Sequence, residues 1–355
     1  MNKVVITEIV VLLALLIAAA CMLGALIVGG SAPAISENPV LETQDTTPTE
    51  NTESTESTEP APTWMTFPED RQLLAKQYFV YDVQADKFLV ISGRQSDKIY
   101  PASVTKLFTC YVALQYLEPD QQVKVGNELD KVRAGSSVAE LRKGDVLTVS
   151  QLVEAMLLPS GNDAAYVLAY NAGKEITGKT GVNDCIDGFM TEMNKQAKRV
   201  GMTGANFANP DGIHRDNHYM TFKDLAILGK LSVSDATIMK NAKIPSEVVQ
   251  FAQRGQMVDN SDQNYYSKTE ELDADTVKWT NTNALINPDS RYYCAYATGL
   301  KTGQTPSAGS CLLSSFTYEG KTYIIGVFGC PSPANSSDPE ARFEDTLQLF
   351  TQTVS

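Results

Sequence analysis

Three short polar motifs constrain the fold of this chain more than any other feature of its sequence. They are Ser-Val-Thr-Lys at residues 103–106, Ser-Gly-Asn at residues 160–162 and Lys-Thr-Gly at residues 301–303. Together they supply a nucleophile with a nearby amine base, a second hydroxyl with an amide, and a cation that can hold a carboxylate. Because long stretches of chain separate the motifs, they form one site only in a fold that brings distant segments together.

The length and the charge of the chain limit the class of protein. The chain has 355 residues, of which 43% are hydrophobic, and this suffices for one large domain or two modest ones. The net charge is -13, but residues 35–63 hold many of the acidic residues and no basic one. The rest of the surface is only mildly acidic. A nucleic-acid partner is therefore not expected, because phosphate binding needs a basic face.

The N-terminal segment, residues 1–34, predicts export. A nearly unbroken apolar run covers residues 9–28, long enough to span the hydrocarbon core of a bilayer. It is either a retained transmembrane signal anchor or a signal peptide cleaved after Ala34, since Ala-Pro-Ala at residues 32–34 fits the small-residue rule. A lipoprotein signal at Cys21 fits less well. Each interpretation places the rest of the chain on the extracytoplasmic side of the membrane.

Residues 35–63 predict a disordered acidic linker. Residues 49–59 repeat Thr, Ser and Glu with almost no apolar side chain, so this segment cannot bury enough surface to offset its chain entropy. Residues 64–355 are then expected to form the folded domain that carries all three motifs.

Cysteine and histidine give no sign of a metal site. Five cysteines follow the apolar run, an odd number that cannot all pair, and none forms a Cys-x-x-Cys motif, so we expect free, buried thiols. His214 and His218 lie in what reads as a surface loop. No metal and no cofactor are expected.

Hydrophobic spacing predicts an α+β fold with strands at both ends and helices in the middle. A hairpin is expected at residues 78–83 and 87–91, and three antiparallel strands at residues 293–301, 310–318 and 322–328. Helices are expected at residues 104–117, 149–158, 163–171, 184–200 and 340–354. Thr148 and Gln151 form a capping box before the second of these helices, and Gly201 is expected to follow the fourth as a C-cap.

The first motif has the chemistry of an activated serine. Ser103 and Lys106 lie three residues apart, which on a helix places their Cβ atoms about 5–6 Å apart on one face. A serine hydroxyl needs a base, and a lysine serves when burial and a second cation lower its pKa. Lys301 is the candidate for that cation. The backbone N–H of Ser103, at a helix N-terminus, can point at a developing oxyanion.

The other two motifs would complete the site. Ser160 is the candidate proton relay, and the Asn162 amide would hold Lys106 and the substrate backbone. Gly303 lets a peptide approach the strand closely, while Lys301 and Thr305 would hold a terminal carboxylate. Each motif alone has an ordinary structural explanation, such as a polar turn or an exposed helix face, so the set of three carries the prediction.

Together with the residues on either side of them, the three motifs resemble those of the low-molecular-mass penicillin-binding proteins, the serine D-alanyl-D-alanine carboxypeptidases. The resemblance rests on residues 101–107, 157–165 and 299–305 and covers roughly residues 64–355. It implies a penicillin-binding-protein and serine β-lactamase-like fold, an antiparallel sheet covered by helices with a helical subdomain that carries the middle motif. It also implies that Thr302 binds substrate and that the Gln304 N–H completes the oxyanion hole. The segment Asn-Pro-Asp-Gly-Ile at residues 209–213 resembles a family loop near the site.

The resemblance implies an exported enzyme that removes the terminal D-alanine from peptidoglycan stem peptides through an acyl-enzyme on Ser103, with β-lactams as inhibitors. The alternatives on the same fold are a D,D-endopeptidase, a serine β-lactamase and a β-lactam sensor domain. Sequence alone cannot distinguish a D,D-endopeptidase from a carboxypeptidase. A serine β-lactamase would need a Glu-x-x-Leu-Asn segment, and the chain has no clear one. A β-lactam sensor domain would need a signalling segment before the apolar run. Because family members often end in an amphipathic tail that this sequence lacks, we expect residues 9–28 to be retained as the membrane anchor.

Overall fold

Strands from the beginning and from the end of the described residues pair into one antiparallel sheet. The structure is a computed structural model that describes residues 65, 67–68, 70–256, 265–331 and 340–355. Its longer strands are β1 (Gln77–Asp82), β2 (Lys87–Ile91), β8 (Ser246–Gln250), β11 (Thr276–Thr280), β12 (Ala297–Thr305), β13 (Gly309–Tyr318) and β14 (Lys321–Cys330). The shorter strands are β3 (Lys98–Ile99), β4 (Gln122–Lys124), β5 (Ser137–Val138), β6 (Val146–Thr148), β7 (Met220–Thr221), β9 (Tyr266–Ser267) and β10 (Thr269–Glu271).

Helices occupy the middle of the chain and its end. They are α1 (Thr105–Ala113), α2 (Val149–Leu157), α3 (Asn162–Thr177), α4 (Val182–Arg199), α5 (Phe222–Ser234), α6 (Ala236–Ala242) and α7 (Ala341–Val354). Short 3-10 turns cover Ala102–Val104, Asn127–Lys131 and Ala284–Ile286. α1 lies at the centre of the helical layer, where it packs against α2, α3, α4 and α5.

The main sheet has the order β12-β13-β14-β1-β2, and every neighbouring pair is antiparallel. Since side chains alternate along a strand, the sheet presents two apolar faces. Leu312 and Ile325 lie in the core shared with α7 on one face. Leu313 and Ile324 lie in the larger core with α1 and α5 on the other. β12 is at the edge of this sheet, next to the start of α1.

The structure confirms the expected α+β fold, and local signals placed several elements well. The capping box of Thr148 and Gln151 is formed at the start of α2. Gly201, with φ of 92°, follows the C-terminus of α4. The expected hairpin is β1 and β2.

Three expectations about element boundaries are corrected. The predicted strand 293–301 begins at Ala297 and continues to Thr305, so the Lys-Thr-Gly motif lies inside the strand. The predicted helix 104–117 starts with a 3-10 turn and ends at Ala113, and helix 163–171 extends to Thr177.

The cysteines and one histidine also have defined places. Cys110, Cys185, Cys294, Cys311 and Cys330 are all free and buried. Cys330 lies opposite Ser310, where the pairing of β13 with β14 is irregular between Ser310 and Leu312. His218 is 2% exposed, so the expectation of a surface position was wrong for this residue. The loop that carries His218 packs onto the start of α1, which the sequence pattern does not reveal.

The predicted anchor at residues 1–34 and the linker at residues 35–63 lie outside the described residues, and both stay predictions. Among the described helices, none combines the length and the apolar character needed to cross a bilayer. Within the same residues, no cluster of His, Cys, Asp or Glu side chains could hold a metal ion.

Candidate active site

The first motif lies where the chain enters α1. Pro101 precedes the 3-10 turn Ala102–Val104, and α1 continues directly from it. Ala102 has φ of 48°, a left-handed conformation that costs a non-glycine residue energy. The turn leaves Ser103 partly exposed, while the side chain of Lys106 is completely buried. The serine therefore faces a cleft and its lysine faces the protein interior.

Three oxygen atoms surround the Lys106 amine. Its Nζ lies 2.9 Å from Ser103 Oγ, 2.6 Å from Asn162 Oδ1 and 2.7 Å from the backbone oxygen of Asp211. Burial lowers the pKa of Lys106 to about 8, and the carboxylates of Asp211 and Asp163 oppose that shift. The lowered pKa was predicted to come from burial and from a second cation, and burial is the cause that the structure supports. Repulsion between the two lysines contributes instead to the low pKa of Lys301, second to burial.

The second motif is a strained turn between α2 and α3. Ser160 has φ of 67°, and it is 7% exposed. A Cβ on Gly161 would come within 2.7 Å of the Ala155 backbone oxygen, so only glycine fits there. Asn162 opens α3 and points its amide oxygen at Lys106. The Ser160 hydroxyl makes no hydrogen bond to any described residue and is free to meet a substrate.

Asp163, which follows the motif, holds this turn in place. Its carboxylate accepts hydrogen bonds from the backbone N–H groups of Ala139, Leu141 and Ala164 at 2.9–3.0 Å. Burial raises the pKa of Asp163, and these three donors oppose the rise. Asp163 was predicted only as the first residue of a helix, without a role in the site. Its signal would have been a carboxylate at the start of an apolar helix.

The third motif runs along the edge strand β12. A Cβ on Gly303 would lie 2.9 Å from the Pro101 backbone oxygen and 3.0 Å from the Ser103 nitrogen, so glycine allows the strand to touch the nucleophile. Lys301 is 1% exposed, and its Nζ contacts Thr302 Oγ1 at 3.3 Å and Thr282 Oγ1 at 3.4 Å. The strand that carries the second lysine therefore lies against the backbone of the nucleophile.

Two residues of β12 follow Gly303, and one of them is exposed while the other is buried. Gln304 follows Gly303 and is exposed at the edge of the sheet. Thr305 is 8% exposed, and its Oγ1 accepts a hydrogen bond from the Ala308 N–H at 3.0 Å. Its oxygen thus already has one partner within the β12–β13 turn.

The loop at residues 209–213 forms the other wall. Gly212 has φ of 85°, and a Cβ there would lie 2.0 Å from the Ala102 backbone oxygen. Asp211 is 1% exposed, and burial raises its pKa, with Lys106 the strongest opposing influence. The resemblance predicted this loop to be near the site, and the Asp211 backbone oxygen is indeed bonded to Lys106.

Two further residues meet the site without belonging to any motif. Thr282 precedes the 3-10 turn Ala284–Ile286, and its hydroxyl lies 2.5 Å from that of Thr302. Arg342, from α7, lies with Nη1 3.5 Å from the Gly303 backbone oxygen. Neither residue has a sequence signal, because only the folded sheet brings them to β12.

A serine whose hydroxyl faces a buried lysine, beside an antiparallel sheet with a helical layer, defines the active-site-serine class that includes the penicillin-binding proteins. Within that class, the chain belongs to the D-alanyl-D-alanine carboxypeptidase family, whose model matches residues 64–332.

Relatives and solved structures agree with this membership. D-alanyl-D-alanine carboxypeptidase DacC of Escherichia coli strain K12 is 28% identical over 287 residues, which cover 78% of this chain and 60% of the relative. The D-alanyl-D-alanine carboxypeptidase of Streptomyces sp. strain K15 is 30% identical over 243 residues, 66% of this chain and 75% of the relative. The chain thus spans somewhat more than half the length of DacC.

The fold is similar to that of two solved proteins. The S96A mutant of the Streptomyces K15 DD-transpeptidase superposes with a TM-score of 0.66 at 25% identity, over 80% of this chain and 100% of that one. Penicillin-binding protein D2 of Listeria monocytogenes, in its ampicillin-bound form, gives a TM-score of 0.58 at 25% identity, over 80% of this chain and 98% of that one.

Proposed function

We propose that this protein is a serine-type D-Ala-D-Ala carboxypeptidase that removes the terminal D-alanine from peptidoglycan stem peptides. The observation that carries the proposal is the surroundings of Lys106 Nζ, with Ser103 Oγ at 2.9 Å and two carbonyl oxygens at 2.6 and 2.7 Å. In the neutral amine, two N–H bonds point to Asn162 and Asp211. The nitrogen lone pair is then directed at the Ser103 hydroxyl, as a general base requires.

The reaction proceeds through an acyl-enzyme. Lys106 takes the proton of Ser103 as Oγ attacks the carbonyl carbon of the penultimate D-alanine, and the backbone N–H groups of Ser103 and Gln304 bind the oxyanion. The peptide bond breaks as its nitrogen receives a proton relayed from Lys106 through Ser160, and D-alanine leaves. Water, deprotonated by the same lysine, then hydrolyses the ester and restores the serine.

The third motif would bind the substrate's carboxylate. Lys301, Thr302 and Thr305 lie on one strand, and the substrate would add along the free edge of β12. A substrate with an amidated C-terminus should therefore react roughly ten- to a hundredfold more slowly than the free acid, the scale of a charged hydrogen bond.

The proposal is tested by labelling and by product analysis. A labelled penicillin should acylate Ser103 in the wild type and leave Ser103→Ala unlabelled. The purified protein should release D-alanine from a stem pentapeptide. Label on another residue rejects the site, and cleavage of a cross-linked dimer without D-alanine release identifies an endopeptidase instead.

We also propose that residues 9–28 are retained as a membrane anchor that holds the domain on the extracytoplasmic face. The support is the apolar run and the acidic spacer at residues 35–63, which could extend from a membrane towards substrate in the wall. Cell fractionation with N-terminal sequencing decides the point. A soluble protein that starts at Ile35 would show that the segment is a cleaved signal peptide.

A further inference from the structure

One threonine outside the three motifs contacts the elements that carry two of them. The Thr282 N–H donates to the Leu158 backbone oxygen at 3.0 Å, in the segment that leads into Ser160. The Thr282 hydroxyl lies 2.5 Å from Thr302 Oγ1 and 3.4 Å from Lys301 Nζ. Thr282 is partly exposed.

The backbone on both sides of Thr282 is fixed. The Asn281 N–H donates to the Pro245 backbone oxygen at 2.8 Å, and its side-chain amide donates to the Ile244 backbone oxygen at 3.0 Å. The Asn281 side chain also accepts from the Asn283 N–H at 2.9 Å. The backbone that carries the Thr282 side chain is therefore held independently of that side chain's contact with Thr302.

The hydroxyl of Thr302 has one proton, and its direction depends on its neighbours. In its protonated form, the form that would bind a carboxylate, Lys301 can only donate to the Thr302 oxygen, which lies 3.3 Å from its Nζ. If Thr282 donates as well, both acceptor positions of that oxygen are filled. The Thr302 proton then points away from its two protein neighbours and into the cleft, where a carboxylate can accept it.

We propose that Thr282 is a positioning residue that sets the direction of the Thr302 O–H bond and thereby determines the preference of the site for a free carboxylate. This inference rests on the proposed function, because it assigns a cause to its carboxylate recognition. Thr282 itself does not touch the reacting atoms.

The test compares two β-lactams that differ only in the carboxylate, benzylpenicillin and its methyl ester. We expect Thr282→Val to lower the second-order rate of acylation by the acid about tenfold and to change the rate with the ester little, the scale of one hydrogen bond to a charged group. Thr282→Ser keeps the hydroxyl and should restore the acid-to-ester ratio. Thr280→Val, two residues earlier on β11, is the matched control and should leave the ratio unchanged.

The possible outcomes distinguish a positioning role of Thr282 from a structural one, and from failure of the proposed function. Equal losses with the acid and the ester, together with a lower melting temperature, would mean a merely structural role and overturn the proposal. An unchanged ratio in Thr282→Val would do the same. If the wild type is acylated but releases no D-alanine from a stem pentapeptide, the carboxypeptidase function fails while the ratio still decides the role of Thr282. If neither β-lactam acylates the wild type, both proposals fail.

Discussion

At the scale of single residues, the site depends on two glycines and one buried amine. Gly212 and Gly303 press from opposite segments on the peptide that precedes Ser103, and neither position has room for a Cβ atom. Lys106 lies beneath this peptide, fully buried, with its nitrogen surrounded by oxygen atoms. The nucleophile is therefore held by backbone contacts, and its reactivity is set by the protonation of one lysine.

The pKa of Lys106 predicts how acylation depends on pH. With a pKa of about 8, half of the amine is free at that pH, compared with roughly 0.3% for an ordinary lysine. The acylation rate should rise about tenfold per pH unit below 8 and level off above it. Asp211→Asn removes a carboxylate that raises this pKa, so the inflection should move to lower pH. The measurement is penicillin acylation at pH values on both sides of the inflection. A flat profile would exclude Lys106 as the base.

Adding one methyl group at Gly303 should separate activity from stability. The new Cβ of Gly303→Ala would lie 3.0 Å from the Ser103 nitrogen and displace β12 from the nucleophile. A misplacement of this size should lower acylation about a hundredfold or more, at a cost of about 1–3 kcal/mol of folding free energy. Gly320→Ala is the control, since a Cβ there meets nothing within 4 Å although φ is 74°. It should lose stability only. Wild-type acylation by Gly303→Ala would contradict the role of this contact.

At the scale of elements, the loop before β7 and the first turn of α1 depend on each other through His218. The ring's Nδ1 accepts a hydrogen bond from the Ala208 N–H at 3.1 Å, which leaves Nε2 to donate to Thr105 Oγ1 at 2.8 Å. Thr105 lies inside the first motif, one residue before Lys106. The same loop supplies the Asp211 oxygen to that lysine. A neutral imidazole therefore joins the two segments that shape the base.

This arrangement predicts acid sensitivity. Burial lowers the pKa of His218 to about 4, below the value of about 6.5 in an unfolded chain. Its contribution to stability is complete above pH 6.5 and is lost as the pH falls towards 4, because the unfolded state binds the proton first. The loss should reach about 3 kcal/mol. In His218→Gln this dependence disappears, so its stability difference from wild type should shrink between pH 7 and 4 in urea unfolding. Parallel pH profiles would reject the assignment.

Local chemistry made many of these elements predictable. The capping box at Thr148 and the glycine after α4 act within a few residues, so sequence alone revealed them. The left-handed φ of Ala102 was not predictable, since it exists where distant glycines pack against the turn. The same holds for the burial of His218 and the contacts of Thr282, which depend on loops that only the folded sheet brings together. Spacing and the resemblance both predicted the α+β fold, but only the resemblance predicted that the loop at residues 209–213 lies near the site.

At the scale of the whole molecule, the first residues of the folded domain are fastened to its last helix. Asp345, on α7, accepts hydrogen bonds from the backbone N–H groups of Leu74 and Ala75 at 2.8 and 2.6 Å. Its other oxygen lies 2.9 Å from Arg71 Nη1. The Asp345 side chain is completely buried, and burial raises its pKa against these donors. α7 thereby closes the outer face of the sheet.

Removing the charge of Asp345 should lower the stability of the fold without disabling the active site. Asp345→Asn removes one charge of a buried pair and should lower the free energy of unfolding by about 3 kcal/mol. Glu344→Gln is the matched control on the same turn. Its side chain is 19% exposed and contacts Arg71 at 3.2 Å, so the cost should stay below about 1 kcal/mol. Urea unfolding measures both, with penicillin acylation in buffer as the check on the native site. Equal costs would show that burial of the pair contributes nothing.

The pairing of β1 with β14 has a consequence for the time at which activity first appears during synthesis. β1 is made near the beginning of the domain and its partner near the end, so until then β1 has only the β2 hairpin. A lone two-stranded hairpin is marginal in water. A chain interrupted before residue 321 can hold neither the sheet nor the edge that β12 presents to Ser103. A nascent chain that lacks β14 should therefore bind no penicillin covalently, whereas a chain that includes it should.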